Sequence, residues 1–258
     1  MTLIIAADVQ DHLILAGDHC AVLSRVSNGA EPDVVLRNYQ KVYPWKYGAI
    51  AASGDVFLAV NFRRLFMLHE SLGQPVNLAQ VARDAKAVRA RNGAMPNESV
   101  GNIFLTLPGH DGFELHGVFV GENSIEIEVI APTSTRFSVR EDRAPDESAC
   151  HAFNSKLRPS FFFEDIDAFH RRHLDLLSTF FAEQSATDEL VTSSFDVFML
   201  DKRSGVGRFW RTPDAVKTLV SLRIDDGMGD DGSAADCIHM TEAEGRINQL
   251  ALKRLQNP

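Results

Sequence analysis

Residues 2–18 read TLIIAADVQDHLILAGD, two short apolar runs rich in isoleucine and leucine on either side of the polar DVQDH. The pattern predicts a β-hairpin, with strands near residues 2–7 and 13–17 that are covered on most sides because almost no polar residue interrupts them. Closing the hairpin brings its two ends together, the hydroxyl of Thr2 and the carboxylate of Asp18. A threonine that follows Met1 becomes the N-terminus when the methionine is removed. It then carries a nucleophile in its hydroxyl and a base in its α-amine.

Downstream, residues 24–38 are polar and irregular, with Asn28-Gly29 and Pro32 as turn signals. In KVYPWKYGAIAASG, residues 41–43 predict a short strand, Pro44 a turn, and residues 47–52 a strand of small side chains running into Ser53-Gly54. Val56, Ala59, Val60, Arg63, Phe66 and Met67 then recur at helical spacing to about Ser71, and Leu78, Val81, Ala85 and Val88 form a second helical stripe. Strands return over residues 101–107, 113–120 and 124–130. Residues 131–159 carry no clear signal. Residues 163–184 have helical periodicity through Ile166, Phe169, Leu174, Leu177, Phe180 and Phe181, and FDVFMLD, a turn at 202–205 and residues 206–210 form a last hairpin. An acidic, glycine-rich loop at 225–236 precedes a capping box, Thr241 with Glu244, and a terminal amphipathic helix. Strands followed by two helices, strands, a helix and strands is an α+β order. Two stacked, mainly antiparallel sheets flanked by helices, a four-layer αββα sandwich, would bury such continuous strands on both faces.

The 258 residues, 45% hydrophobic, are expected to form one core over 1–212 with a 213–258 extension on the same domain. A net charge of −9 argues against nucleic acid or an anionic membrane as main partner. No run is long enough to span a bilayer and no secretory signal is evident, so a cytoplasmic location is expected. Cys20, Cys150 and Cys237 are odd in number and far apart, which suggests neither a disulfide framework nor a zinc site. No metal or other cofactor is expected.

Three stretches carry a family resemblance. The opening hairpin, QKVYPWKYGAIAASGDVFLAVNFRRLF and DELVTSSFDVFMLDKRSGVGRF resemble, in order and spacing, the N-terminal hairpin, lysine strand with glycine turn and first helix, and closing strand pair of proteasome β-subunits and the bacterial proteasome-like peptidase HslV. These are N-terminal nucleophile (Ntn) hydrolases of the threonine type, and the 16 positions from Thr2 to Asp18 are the family's spacing. The resemblance implies catalytic roles for Thr2, Asp18, Lys41 and Asp188, and a backbone oxyanion site at Ser53-Gly54. It also implies a substrate pocket near Ala21, Tyr43, Ala52 and Val56, suited to an apolar or modest-sized side chain. Self-assembly into a ring or related homo-oligomer, a peptide or unfolded-protein substrate and an ATP-dependent unfoldase partner follow from it as well.

The chemistry is consistent with those roles. The α-amine of a free Thr2, with an ordinary pKa of about 8, can take the hydroxyl proton without any histidine. A lysine beside it would favour the ionised nucleophile and depress the amine's pKa, and an aspartate would hold that lysine charged and oriented. The chain departs from the family in five places: His19-Cys20 follow Asp18, the connection to Lys41 is about seven residues longer, Val191-Thr192-Ser193 replace the usual serine-glycine-glycine after Asp188, residues 131–159 hold no clear glycine-serine-glycine loop, and the segment after Pro213 has no family counterpart. The hydroxyls of Thr192 or Ser193 are candidates to take over that support.

Taken singly, Thr2 reads as a strand-opening residue, Asp18 as a strand-end cap and Lys41 as a solvated charge. The catalytic reading rests on their joint spacing. His19 and Cys20, as neighbours on a strand, point to opposite faces and read as structural. Cys150-His151 is weaker still as a thiol/imidazole pair, since no matching acid is placed beside it. The acidic loop has no EF-hand spacing, and the Phe161-Phe162-Phe163 run reads as core or subunit interface. The leading expectation is a threonine peptidase. The alternatives are a catalytically silent proteasome-like assembly or binding subunit with Met1 retained, and an Ntn amidase acting on a small metabolite.

Overall fold

The computed structural model describes residues 3–23, 34–73, 75–139, 145–212 and 218–223. The predicted hairpin is present: β1 (Ile4–Asp8) and β2 (His12–Asp18) pair antiparallel from Ile4↔Gly17 to Asp8↔Leu13, with every residue buried. Strand alternation explains why the run is continuously apolar. Ile4, Ala6, Leu13 and Leu15 enter one core, while Ile5, Ala7, Ile14 and Ala16 enter another on the opposite face. Each leucine or isoleucine so enclosed contributes about 1.5–3 kcal/mol relative to exposure.

A two-stranded ribbon of β3 (Ala21–Leu23) and β4 (Val34–Leu36) leads to β5 (Val42–Trp45), β6 (Gly48–Gly54) and α1 (Val56–Ser71). The expected turn at Pro44 is instead strand. β5 is the edge of its sheet, where a residue without an N–H costs no ladder bond on the outer side, and the turn falls at residues 46–47. After α2 (Leu78–Arg91) come β7 (Gly101–Gly109), β8 (Gly112–Val120) and β9 (Ile125–Val129), which complete a five-stranded antiparallel meander in the order β5-β6-β7-β8-β9.

Residues 131–159, unread in the sequence, hold β10 (Thr135–Ser138) and α3 (Glu147–Asn154). α4 (Ile166–Thr187), β11 (Phe195–Asp201), β12 (Val206–Thr212) and β13 (Thr218–Arg223) follow. The second sheet runs β10-β1-β2-β11-β12-β13, also antiparallel. β13 was not expected. The acidic loop and the terminal helix lie outside the described residues.

Three apolar clusters define four layers. α1 and α2 pack on the meander through Leu58, Phe62, Phe66, Val81 and Ala85. The two sheets meet through Leu13, Leu15, Val42, Phe104 and Phe198, and α3 and α4 cover the other sheet through Phe153, Phe169, Leu177 and Phe181. The αββα sandwich is thus the observed architecture. Asp55 starts α1 by accepting from Phe57 N at 3.0 Å, and its other oxygen takes Arg89 Nε at 2.7 Å, which ties α1 to α2. The phenylalanine run divides: Phe163 packs on the core, whereas Phe161 and Phe162 stack on each other at 63% and 65% exposure, so two of the three are not core. Among the described residues no helix is long and apolar enough to cross a membrane.

Candidate active site

The end of β2 meets the start of β5 at a buried ion pair. Lys41, 2% exposed, bonds Asp18 Oδ1 through Nζ, and Asp18 is fully enclosed. Gly17 makes the approach possible, because a Cβ there would lie 2.7 Å from Ile4 Cδ1 and 3.2 Å from Lys41 Cβ. Burial pushes the Lys41 amine below its ordinary value, and the Asp18 charge beside it works in the opposite direction.

Asp18 is held on every side. Oδ1 also accepts from Leu3 N at 2.8 Å, and Oδ2 accepts from Cys20 N at 2.9 Å and Thr192 N at 3.2 Å. A carboxylate with that many donors is held in one orientation. Leu3 is the residue after Thr2. Thr2 itself lies outside the described residues.

Lys41 also lines a cleft together with Tyr39, Tyr43, Ile50, Ala52, Ser53, Gly54, Val56, Ala59, Val60 and Arg63. Of the residues expected around a pocket or oxyanion site, Tyr43, Ala52, Ser53, Gly54 and Val56 therefore share one wall system with Lys41. Ala21 does not line it; it is buried with Tyr39 against Val56 and Phe57, supporting the wall from behind.

Sequence reasoning missed Tyr39, Ile50, Ala59, Val60 and Arg63 as lining residues. The signal was present in α1, but its residues were read for helical spacing alone. The stripe Val56, Ala59, Val60, Arg63 faces the cleft, and the core face is Leu58, Phe62 and Phe66. An arginine inside an apolar stripe was the mark of that second face. Its guanidinium lies 3.8 Å from the centre of the Tyr43 ring.

Gly54 is the glycine that the turn requires. Its φ is +91°, and a Cβ would lie 2.5 Å from both Val100 O and Gly101 Cα, so the β6 end can pass β7 only without a side chain. Ser53 Oγ is bonded to Ser138 Oγ on β10, which also accepts from Asn102 Nδ2 at 2.7 Å. The two sheets are thereby joined next to the cleft.

Asp188 caps the C-terminus of α4 and accepts from Leu190 N at 2.9 Å through Oδ1. The hydroxyl of Thr192, a candidate substitute support for the amine, accepts from His19 N at 2.7 Å and donates to Ser194 O at 2.9 Å, while its amide donates to Asp18 Oδ2. Burial raises the pKa of Cys20, so the thiol beside Asp18 stays protonated. No group of three or more metal-ligating side chains converges among the described residues.

No family model matches the chain, and no curated protein matches it in sequence. Among solved structures, it is similar to a Gly-1 mutant of Anbu from Hyphomicrobium sp. strain MC1 (TM-score 0.53, 13% identity, covering 100% of this chain and 98% of that one). It is likewise similar to Anbu, described as an ancestral beta-subunit, from Yersinia bercovieri (TM-score 0.52, 12% identity, covering 100% of this chain and 98% of that one). At such identities the likeness is one of fold. The chain shares its sandwich fold with these two proteins over almost their whole length.

Proposed function

We propose that the chain is an N-terminal threonine hydrolase that cleaves peptide or related amide bonds through an acyl-enzyme on Thr2. The observation that carries this reading is the enclosed Asp18–Lys41 pair at a cleft, with the same carboxylate bonded to the amide of Leu3, the residue joined to Thr2. Chain connectivity alone brings the Thr2 carbonyl within one bond of that amide.

With Met1 removed, the Thr2 hydroxyl attacks the substrate carbonyl as its proton passes to the α-amine, directly or through water. The Lys41 ammonium favours the developing alkoxide. An N–H at Ser53-Gly54 receives the oxyanion, an interaction whose loss costs about 2.7–4 kcal/mol where one such donor has been removed. The amine product leaves with the proton, and water hydrolyses the ester to free Thr2. Asp188 acts at the amine, and Tyr43, Ala52 and Val56 contact the substrate side chain. The resemblance further supports self-assembly into a homo-oligomer, which native mass spectrometry would reveal.

The second reading, a silent assembly subunit, is favoured by the hydrogen bonds that Thr192, a candidate support for the amine, makes with His19 and Asp18. Intact-mass spectrometry separates the two. The peptidase reading expects a chain lacking Met1 that gains the mass of one peptide β-lactone, with no gain in Thr2→Ala. Retained Met1 on most molecules, or no adduct on the wild type, sinks it.

A further inference from the structure

We propose that His19 is a positioning residue of this site, whose ring holds the 192–196 segment where Thr192 can bond Asp18. The inference rests on the reading of Asp18 and Lys41 as the groups that serve Thr2. The sequence suggested only a structural histidine facing away from Cys20.

His19 makes three hydrogen bonds and one further close approach. Its amide donates to Thr192 Oγ1 at 2.7 Å, and its carbonyl accepts from Tyr39 N at 2.9 Å, Tyr39 being a wall of the cleft. Its Nδ1 lies 3.1 Å from Ser194 Oγ, and its Nε2 lies 3.1 Å from Asp196 Oδ1, a close but oblique approach. With the ring proton on Nε2, the imidazole faces the carboxylate with a donor and accepts the Ser194 hydroxyl on the other side. Asp196 is a fixed post: it is fully buried and takes Arg211 Nε at 2.9 Å and Nη2 at 3.3 Å across the β11–β12 pair.

The ring therefore fastens Ser194 to the β2 end through the hydrogen bond to its hydroxyl, and Ser194 O in turn accepts the Thr192 hydroxyl. Thr192 is the donor to Asp18 Oδ2 that comes from outside the β2 end. Without the clamp, Asp18 loses that donor and its hold on the orientation of Lys41 loosens. A misplacement of about 1 Å in catalytic groups can cost about 100-fold in rate. His19 does not line the cleft, so its loss should act on rate and leave binding unchanged.

The test compares the full-length wild type with His19→Ala and His19→Gln by two readouts. The first is amide hydrogen exchange at Thr192 relative to Val197 in the middle of β11. His19→Ala should speed Thr192 at least tenfold beyond any change at Val197, and His19→Gln, which keeps a donor and an acceptor, should restore most of the protection. The second is the rate at which a peptide β-lactone acylates Thr2, expected to fall at least tenfold in His19→Ala with its half-saturating concentration unchanged.

Parallel changes at Thr192 and Val197 would overturn the proposal, because the ring would then stabilise the whole sheet rather than this segment. A rise in half-saturating concentration at unchanged rate would overturn it as well. If exchange behaves as expected while the wild type takes no adduct, the clamp stands and the hydrolase reading fails.

Discussion

Acidification to pH 5 should destabilise this protein through two histidines buried far from the cleft. His170 and His173 lie on the inner face of α4 at 6% and 0% exposure, against His12 of β2 at 3%. Burial is the main cause that pushes both His170 and His173 down to about 4. The Arg208 guanidinium, 3.3 Å from His170 Nδ1, adds to it for His170, and His12 opposes a charge on either ring.

An unfolded histidine titrates near 6.5, so between that value and 4 the unfolded chain binds more protons than the folded one. Their neutral-state contribution is thus complete above about pH 6.5 and is lost as pH falls through the folded value. The full separation corresponds to about 3.4 kcal/mol per ring, and stopping at pH 5 realises about 2 kcal/mol of it per ring, or about 4 kcal/mol for the pair. Asp11, held below the usual carboxylate range by its hydrogen bonds to Ser160, acts at lower pH.

Urea unfolding followed by circular dichroism at pH 7.5, 6.5, 5.5 and 5 measures the loss. His173→Gln keeps a side-chain N–H for Phe169 O, which His173 Nδ1 meets at 2.9 Å, but cannot be protonated in this range. It should be less stable than the wild type at pH 7.5, yet lose only about 2 kcal/mol on going to pH 5. An unchanged wild-type loss in both His173→Gln and His170→Gln would show that these buried neutral rings are not its source.

Three further outcomes follow from the geometry. Gly54→Ala, forced to hold φ +91° against backbone atoms at 2.5 Å, should lower stability by about 1–3 kcal/mol in urea unfolding at pH 7; a neutral result would refute the tight β6–β7 crossing. Lys41→Met leaves the Asp18 carboxylate buried without its cation and should cost about 3–5 kcal/mol, whereas Asp18→Asn/Lys41→Met should cost clearly less than the two single changes added; additivity in that double-mutant cycle would count against a coupled pair. Asp55→Ala removes both the α1 cap and the Arg89 bond and should lower the unfolding free energy by about 1–2 kcal/mol, against no change if the cap is idle.

The hairpin, both meander helices, the strands on each side of them and α4 were legible from periodicity, because in each the buried face imposes its own spacing of apolar residues. What local pattern cannot show is which partner covers a face. The helical spacing of α1 did not separate its core face from the face that borders the cleft, since the helix has two such stripes and only the docking of α1 on the meander chooses between them. β10 and α3 escaped notice because short elements carry too few periods to stand out.

The site divides in the same way. The residue types and the spacing of Thr2, Asp18 and Lys41 are properties of the chain, and so is the glycine at 54. The tertiary structure decided that Lys41 is buried on Asp18, that Thr192 bonds Asp18 across 174 positions of sequence, and that the His19 ring stands between Ser194 and Asp196. Those contacts join β2 to β5 and to the approach of β11. Their formation depends on the packing of whole sheets, which no stretch of sequence specifies by itself.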